Sequence, residues 1–368
     1  MVHIAADLPQ FLQRRELAAY EQRLARTAYA YGVDLRRAQW LATSTVGDPL
    51  MRTVDRRWSS MVQGLEADSV RPLRKAPPTA LLEELARLIH MLRAPLPTIR
   101  LLRPEVAGDW PTITPLGTTK GGLHWLVMDL DRVMALSAPE RTFALASALG
   151  HLQCDHGAIF AAHLMAHRGR RVGLVKGLLR PWAKVSVFSA DRAGLVAAPS
   201  LEVAFEAVER QASEHPAWMP RWPDLATRRQ SLEDFDKSSM MARRRLLCDD
   251  HGGWSMAPPG REEEMDSIGR KMASALGGAI RMGGRLAMKI EGYERRRKDD
   301  GDASDEADED EEAKVDANAE AEAPEEPKAA PEPPPIDPER ASRLEKALRD
   351  AWSLARCDQR LTRRLGLL

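Results

Sequence analysis

Four histidines, His151, His156, His163 and His167, fall in one stretch of the chain, with Cys154 and Asp155 between the first two. Imidazole, thiolate and carboxylate are the groups that zinc accepts as ligands, so this is where metal chemistry would be sought. Spacing restricts the options. Successive residues turn about 100° on an α-helix, so His163 and His167, four apart, share one face; Leu164 stands where a metallopeptidase would carry its general base. His151 and His156, five apart, are separated by about 140° and are not expected to grip one ion. Cys154 reads as a small buried helix residue, with no evident cation to lower its pKa. Asp249-Asp250-His251 reads as a polar turn, and the glycines at 277–284 lack the Lys-Ser/Thr of a phosphate-binding loop.

These residues need elements to position them. Ser137 and Glu140 make a capping box, which opens a helix expected to run to about residue 166, with Phe143, Leu145, Leu149, Leu152, Ile159 and Phe160 toward the core. Three strand-like runs precede it, at 98–102, 111–116 and 122–128, the last entered through a Gly-rich turn. Residues 8–94 show helical spacing that ends at Pro95 and Pro97. A second helix is expected from near Ala190 through Glu209, and 213–250 as mixed helix and loop. Residues 268–293 form a Gly-interrupted amphipathic helix with Arg281, Arg285 and Lys289 on one face; a solvated face is the default reading and a membrane-surface adaptor the rival. Residues 299–338 have almost no large apolar side chains and read as a disordered, acidic, Pro-rich linker. A basic amphipathic helix, 339–368, follows and is expected to dock on the body or on a partner.

Ser189-Ala-Asp-Arg-Ala-Gly-Leu195, with Trp182 upstream, resembles the second signature of the HtpX-like and CAAX-prenyl-protease family of zinc metallopeptidases. Leu149-Gly150-His151-Leu152 and His156 fit the frame of that family's His-Glu-x-x-His helix. The resemblance covers roughly residues 95–215. It implies a zincin-like α+β fold, mainly helical, for the peptidase-like domain at 95–250; composition and spacing divide the rest into 1–94 (helical), 251–298 (Gly-rich amphipathic), 299–338 (linker) and 339–368 (C-terminal helix). It puts His151 at the second zinc ligand, Ser147 at the first, Ala148 at the general base and Val187 at the glutamate ligand. Asp191 keeps the family aspartate position, where it would orient His151; a helix N-terminal cap is the plain alternative. A catalytic zinc needs three protein ligands and a water. One surviving imidazole does not supply them, so no bound cofactor is expected.

The remaining features bound the function. Lys+Arg and Asp+Glu are both 54, so overall charge points to neither nucleic acid nor an anionic membrane. No apolar run approaches the roughly 20 residues of a bilayer span, and the N-terminus lacks a secretory pattern. Three widely spaced cysteines without a CxxC pair fit a reducing, cytoplasmic setting. The expectation is a catalytically inactive peptidase relative whose cleft, lined by Ser147, Ala148, His151, Val187 and Asp191, takes a protein or peptide partner. The alternative is an active zinc endopeptidase drawing ligands from His151, His156, His163 and His167.

Overall fold

The structure, a computed structural model, describes residues 22, 25–70, 78–117, 124–169, 173–249 and 338–367. The expected amphipathic segment at 268–293 and the linker at 299–337 lie outside them. A four-stranded mixed sheet has the order β1-β2-β4-β3, from β1 (Ser69–Val70), β2 (Thr98–Leu102), β3 (Ile113–Gly117) and β4 (His124–Met128). β2 and β4 run parallel; the other neighbours are antiparallel. Strand alternation sends successive side chains to opposite faces. Leu126 and Met128 therefore enter one core, with α3 (Thr79–Leu92), while Trp125 and Val127 enter another, with α2 (Gly47–Asp68). α1 (Gly32–Thr43) precedes α2, and the short helices α4 (Pro104–Ala107) and α5 (Leu130–Ala135) link the strands and the helices that follow.

Two helices carry the candidate residues. α6 (Ala138–Gln153) opens on the capping box, in which Ser137 and Glu140 bond reciprocally. α8 (Gly173–Ala197) is longer and starts earlier than the expected helix at Ala190. Its interior Pro181 costs one backbone bond, yet Trp182, Val185, Val187 and Phe188 join one core and Ala193, Leu195 and Val196 the other. Burial on both sides outweighs the proline. The break comes instead at Ser200, whose hydroxyl caps α9 (Leu201–Ser213). Where α6 crosses α8, a Cβ on Gly150 would lie 2.5 Å from Ala193 Cβ, and one on Gly194 would lie 2.6 Å from the Phe143 ring. Both glycines allow this close crossing.

The helix expected over 137–166 is two helices. Asp155 adopts a left-handed conformation, φ 62°, and α7 (Gly157–His167) starts afresh. His156 N–H bonds to the His151 carbonyl at 2.9 Å and Asp155 N–H to that of Leu152 at 3.1 Å. These are the two bonds of a Schellman cap. The C-terminal segment likewise forms two helices, α12 (Pro338–Asp350) and α13 (Leu354–Arg364), following α10 (Leu225–Asp236) and α11 (Ser239–Asp249). α13 docks on the body: Cys357 and Leu361 are buried and Asp358 bonds Arg192 at 2.7 Å. No helix among the described residues is long and apolar enough to cross a membrane.

Candidate functional site

The Schellman cap decides the geometry of the histidines. It folds the second residue past the helix back over the last turn, so His156 lies against His151, with their Nδ1 atoms 3.0 Å apart. The expectation that the pair would diverge is wrong because it assumed one continuous helix. His156 Nε2 is 2.9 Å from Asp34 Oδ1, on α1. Asp34 also accepts from Trp182 Nε1 at 2.6 Å and from the Ser189 hydroxyl, which itself accepts from Tyr31 N–H at 3.0 Å. A carboxylate with three donors tolerates complete burial.

The chain of bonds dictates proton positions. The carboxylate only accepts, so His156 Nε2 carries a proton. Where His156 Nδ1 accepts, the proton between the two rings sits on His151 Nδ1 and His151 Nε2 is bare. Among the described residues nothing hydrogen-bonds that nitrogen. Burial, then the neighbouring His156 and Arg228, holds the His151 pKa well below the ordinary histidine value, so the ring stays neutral at physiological pH.

His151 lines a cleft of about 530 Å³ together with Ser147 and Ala148, one turn back on α6. Ile113 and Pro115 of β3 form the opposite wall, and Phe160, Met219 and Trp222 add apolar surface. Gln211 and Glu214 supply polar atoms; Glu214 is already held by Arg132 at 2.8 Å and by Thr112. The cleft is thus mostly apolar, with a few polar groups, among them the imidazoles of His151 and His215.

Val187 and Asp191 do not line this cleft. Val187 is buried in the core shared by β4 and α7. Asp191 is mid-helix, so it caps nothing, and it does not orient His151. Both its oxygens are taken by Arg228, at 2.9 and 2.6 Å, in a pair only 1% exposed on each side. Orientation of His151 falls to His156 and Asp34. Arg228 also bonds Gln211 at 3.0 Å and lies 4.9 Å from the Trp222 ring, which stacks on His151.

His163 and His167 stand apart from this network. His163 is buried and its Nδ1 meets the Trp218 carbonyl at 3.2 Å, while exposed His167 stacks on the Trp218 ring. Among the described residues, the one group of three potential metal ligands with donor atoms within 4.8 Å of one another is Asp34, Cys154 and His156. All three are buried, and Asp34 and His156 already have protein partners. Burial and the nearby Asp34 carboxylate push the Cys154 thiol well up, which disfavours the thiolate that a metal would need.

Asp34, Ser189 and Arg228 were not anticipated. Asp34 lies beyond the resembling segment, and nothing local separates it from a solvated helix carboxylate. Arg228 is one of an Arg-Arg pair in a polar helix. No protein-family model matches the sequence, and comparison with curated proteins and with solved structures finds no match.

Proposed function

We propose that this chain is a catalytically inactive relative of the zinc metallopeptidases, and that its cleft holds an extended peptide segment of a protein partner. The observation that carries the reading is the cleft wall itself. Ser147 and Ala148 sit beside His151 where a peptidase of this kind would carry a metal ligand and a general base. Ser and Ala leave no uncompensated charge, so the site needs no metal to fold.

The opposite wall supports an extended occupant. β3 has no strand partner on its outer side among the described residues. Asp129 N–H bonds the Thr112 carbonyl at 3.0 Å, so by alternation Thr114 and Leu116 also turn their backbone groups toward β4. Ile113 N–H and C=O and the Pro115 C=O then point away from β4, and both residues line the cleft, Ile113 half-buried and Pro115 buried. A strand-like peptide can pair with these three groups, and its side chains would meet Phe160, Met219 and Trp222. His151 Nε2 would accept one further hydrogen bond from it.

The test is selection of displayed peptides on the whole protein, followed by binding to Ser147→Phe and Ala148→Phe variants of unchanged melting temperature. The reading requires that selected peptides lose binding to both. A selection in which every peptide, acidic or not, binds the cleft-filled variants as well as the parent would refute it.

An active zinc endopeptidase with relocated ligands is the rival, and it draws on the Asp34, Cys154 and His156 group. That group is buried, none of it lines the cleft, and Asp34 and His156 already bond within the protein. It offers no open coordination position to a substrate, which catalytic zinc requires.

A further inference from the structure

On the far side of Trp222 lies a second depression, an open groove of about 1490 Å³. Four cationic side chains line it, Arg37 of α1, Arg180 and Lys184 of α8, and Arg221; among the described residues no carboxylate does. None of the four makes an ion pair with a described residue, although Arg37 donates to the Pro181 carbonyl. Between the cations the floor is apolar, from Val185, Trp222 and Leu365, with the 42% exposed Leu367 at its edge. Lys176, Arg180 and Lys184 recur at four-residue spacing on α8. Like charges at that spacing cost a helix about 0.2–0.5 kcal/mol per pair. The cations therefore do not serve the helix, and they converge from three parts of the chain on one concavity.

We propose that this groove binds an acidic peptide segment of a protein partner, with large apolar side chains interleaved among its carboxylates. The carboxylates would meet Arg37, Arg180, Lys184 and Arg221, and the apolar side chains would cover Val185 and Leu365. Nucleic acid fits less well. Single strands bind by stacking bases on free aromatic faces, whereas Trp222 is covered by the stacked His151 ring and by the Arg228 guanidinium. A membrane surface needs a protruding apolar face, and this site is concave.

Fluorescence anisotropy on the full chain tests the proposal. The probe is a short labelled peptide of Asp and Glu alternating with Leu and Phe. Comparison ligands are the same peptide with Asn and Gln for the acids, a single-stranded oligonucleotide, and phosphatidylserine vesicles. The acidic peptide should bind best, weaken as salt rises, and lose at least about tenfold in affinity to an Arg180→Ala/Lys184→Ala/Arg221→Ala variant, a change of about 1.4 kcal/mol. These side chains are solvated, so the variant should melt as the parent does. No binding, equal binding of the neutral peptide or to the variant, or tighter binding of oligonucleotide or vesicles would overturn the proposal. Ala148→Phe, which fills only the cleft, should leave groove binding unchanged, so the two sites succeed or fail separately.

Discussion

At the scale of residues, a buried imidazole lines the cleft and is tied through a second imidazole to a buried carboxylate. The relay from Asp34 through His156 predicts that His151 is protonated at Nδ1 and bare at Nε2. Imidazole ¹⁵N shifts check this: the parent should show that tautomer, and Asp34→Asn should shift the population toward the other. A parent protonated at Nε2 would contradict the hydrogen-bond chain. The Asp191–Arg228 pair carries a second prediction. Removing one partner strands a buried charge, so Arg228→Ala should cost about 3–5 kcal/mol in urea unfolding. Loss below about 1 kcal/mol would show that the pair is solvated.

Acid sensitivity follows from the same burial. His163 is lowered from 6.5 to about 4, chiefly by burial, and His151, His124 and His215 are lowered for the same leading reason. Below pH 6.5 the unfolded chain binds protons that the folded chain refuses, so stability falls as pH drops from 6.5 toward 4; above 6.5 these groups contribute no slope. Unfolding free energies across that window should decline, and His163→Gln should flatten the decline. An unchanged slope would rule out His163 as a contributor. Little at this scale was legible in the sequence. Beyond the local His156, the groups that act on His151, Asp34 and Arg228, come from α1 and α10, far away in the chain, and spacing arguments see only the local helix.

At the scale of elements, more could be read in advance. The capping box and the strand positions follow from local patterns, whereas the packing of α6 on α8 through Gly150 and Gly194 does not. The boundaries did not follow. Asp155 is a poor sequence signal for a left-handed cap, and the helix expected from near Ala190 starts at Gly173 because burial on both sides carries it through Pro181. The crossing gives a prediction with competing terms. Gly→Ala in a helix interior gains about 1 kcal/mol in propensity, while overpacking a close contact costs about 1–3 kcal/mol. At Gly150 the Cβ would face the Ala193 Cβ and the α8 backbone, which cannot swing aside, so Gly150→Ala should destabilise. A stabilised variant would mean that the helices separate easily.

At the scale of the whole molecule, the C-terminal helix belongs to the body rather than to a free arm. Asp358 accepts from Nη1 of Arg192, a guanidinium only 1% exposed whose Nε and Nη2 have no hydrogen-bond partner among the described residues, and also accepts from Gly32 N–H. Ending the chain before residue 338 should therefore lower the melting temperature strongly, and a synthetic peptide of residues 350–368 should restore it. A truncated chain that melts like the parent would show the docking to be incidental. The sequence suggested docking from the amphipathic pattern. It did not reveal the target, because Arg192 sits inside the segment that resembles a metallopeptidase signature and reads there as part of that motif.

The central claim is that the peptidase-like cleft works without metal. Zinc per chain, measured by elemental mass spectrometry on protein purified without a metal-affinity tag, tests it most directly. The account predicts a content far below one zinc per chain, with no change in melting temperature on adding a chelator. Close to one zinc per chain, lost together with stability in Asp34→Asn or His156→Ala, would contradict it and make the buried Asp34, Cys154 and His156 group a metal centre.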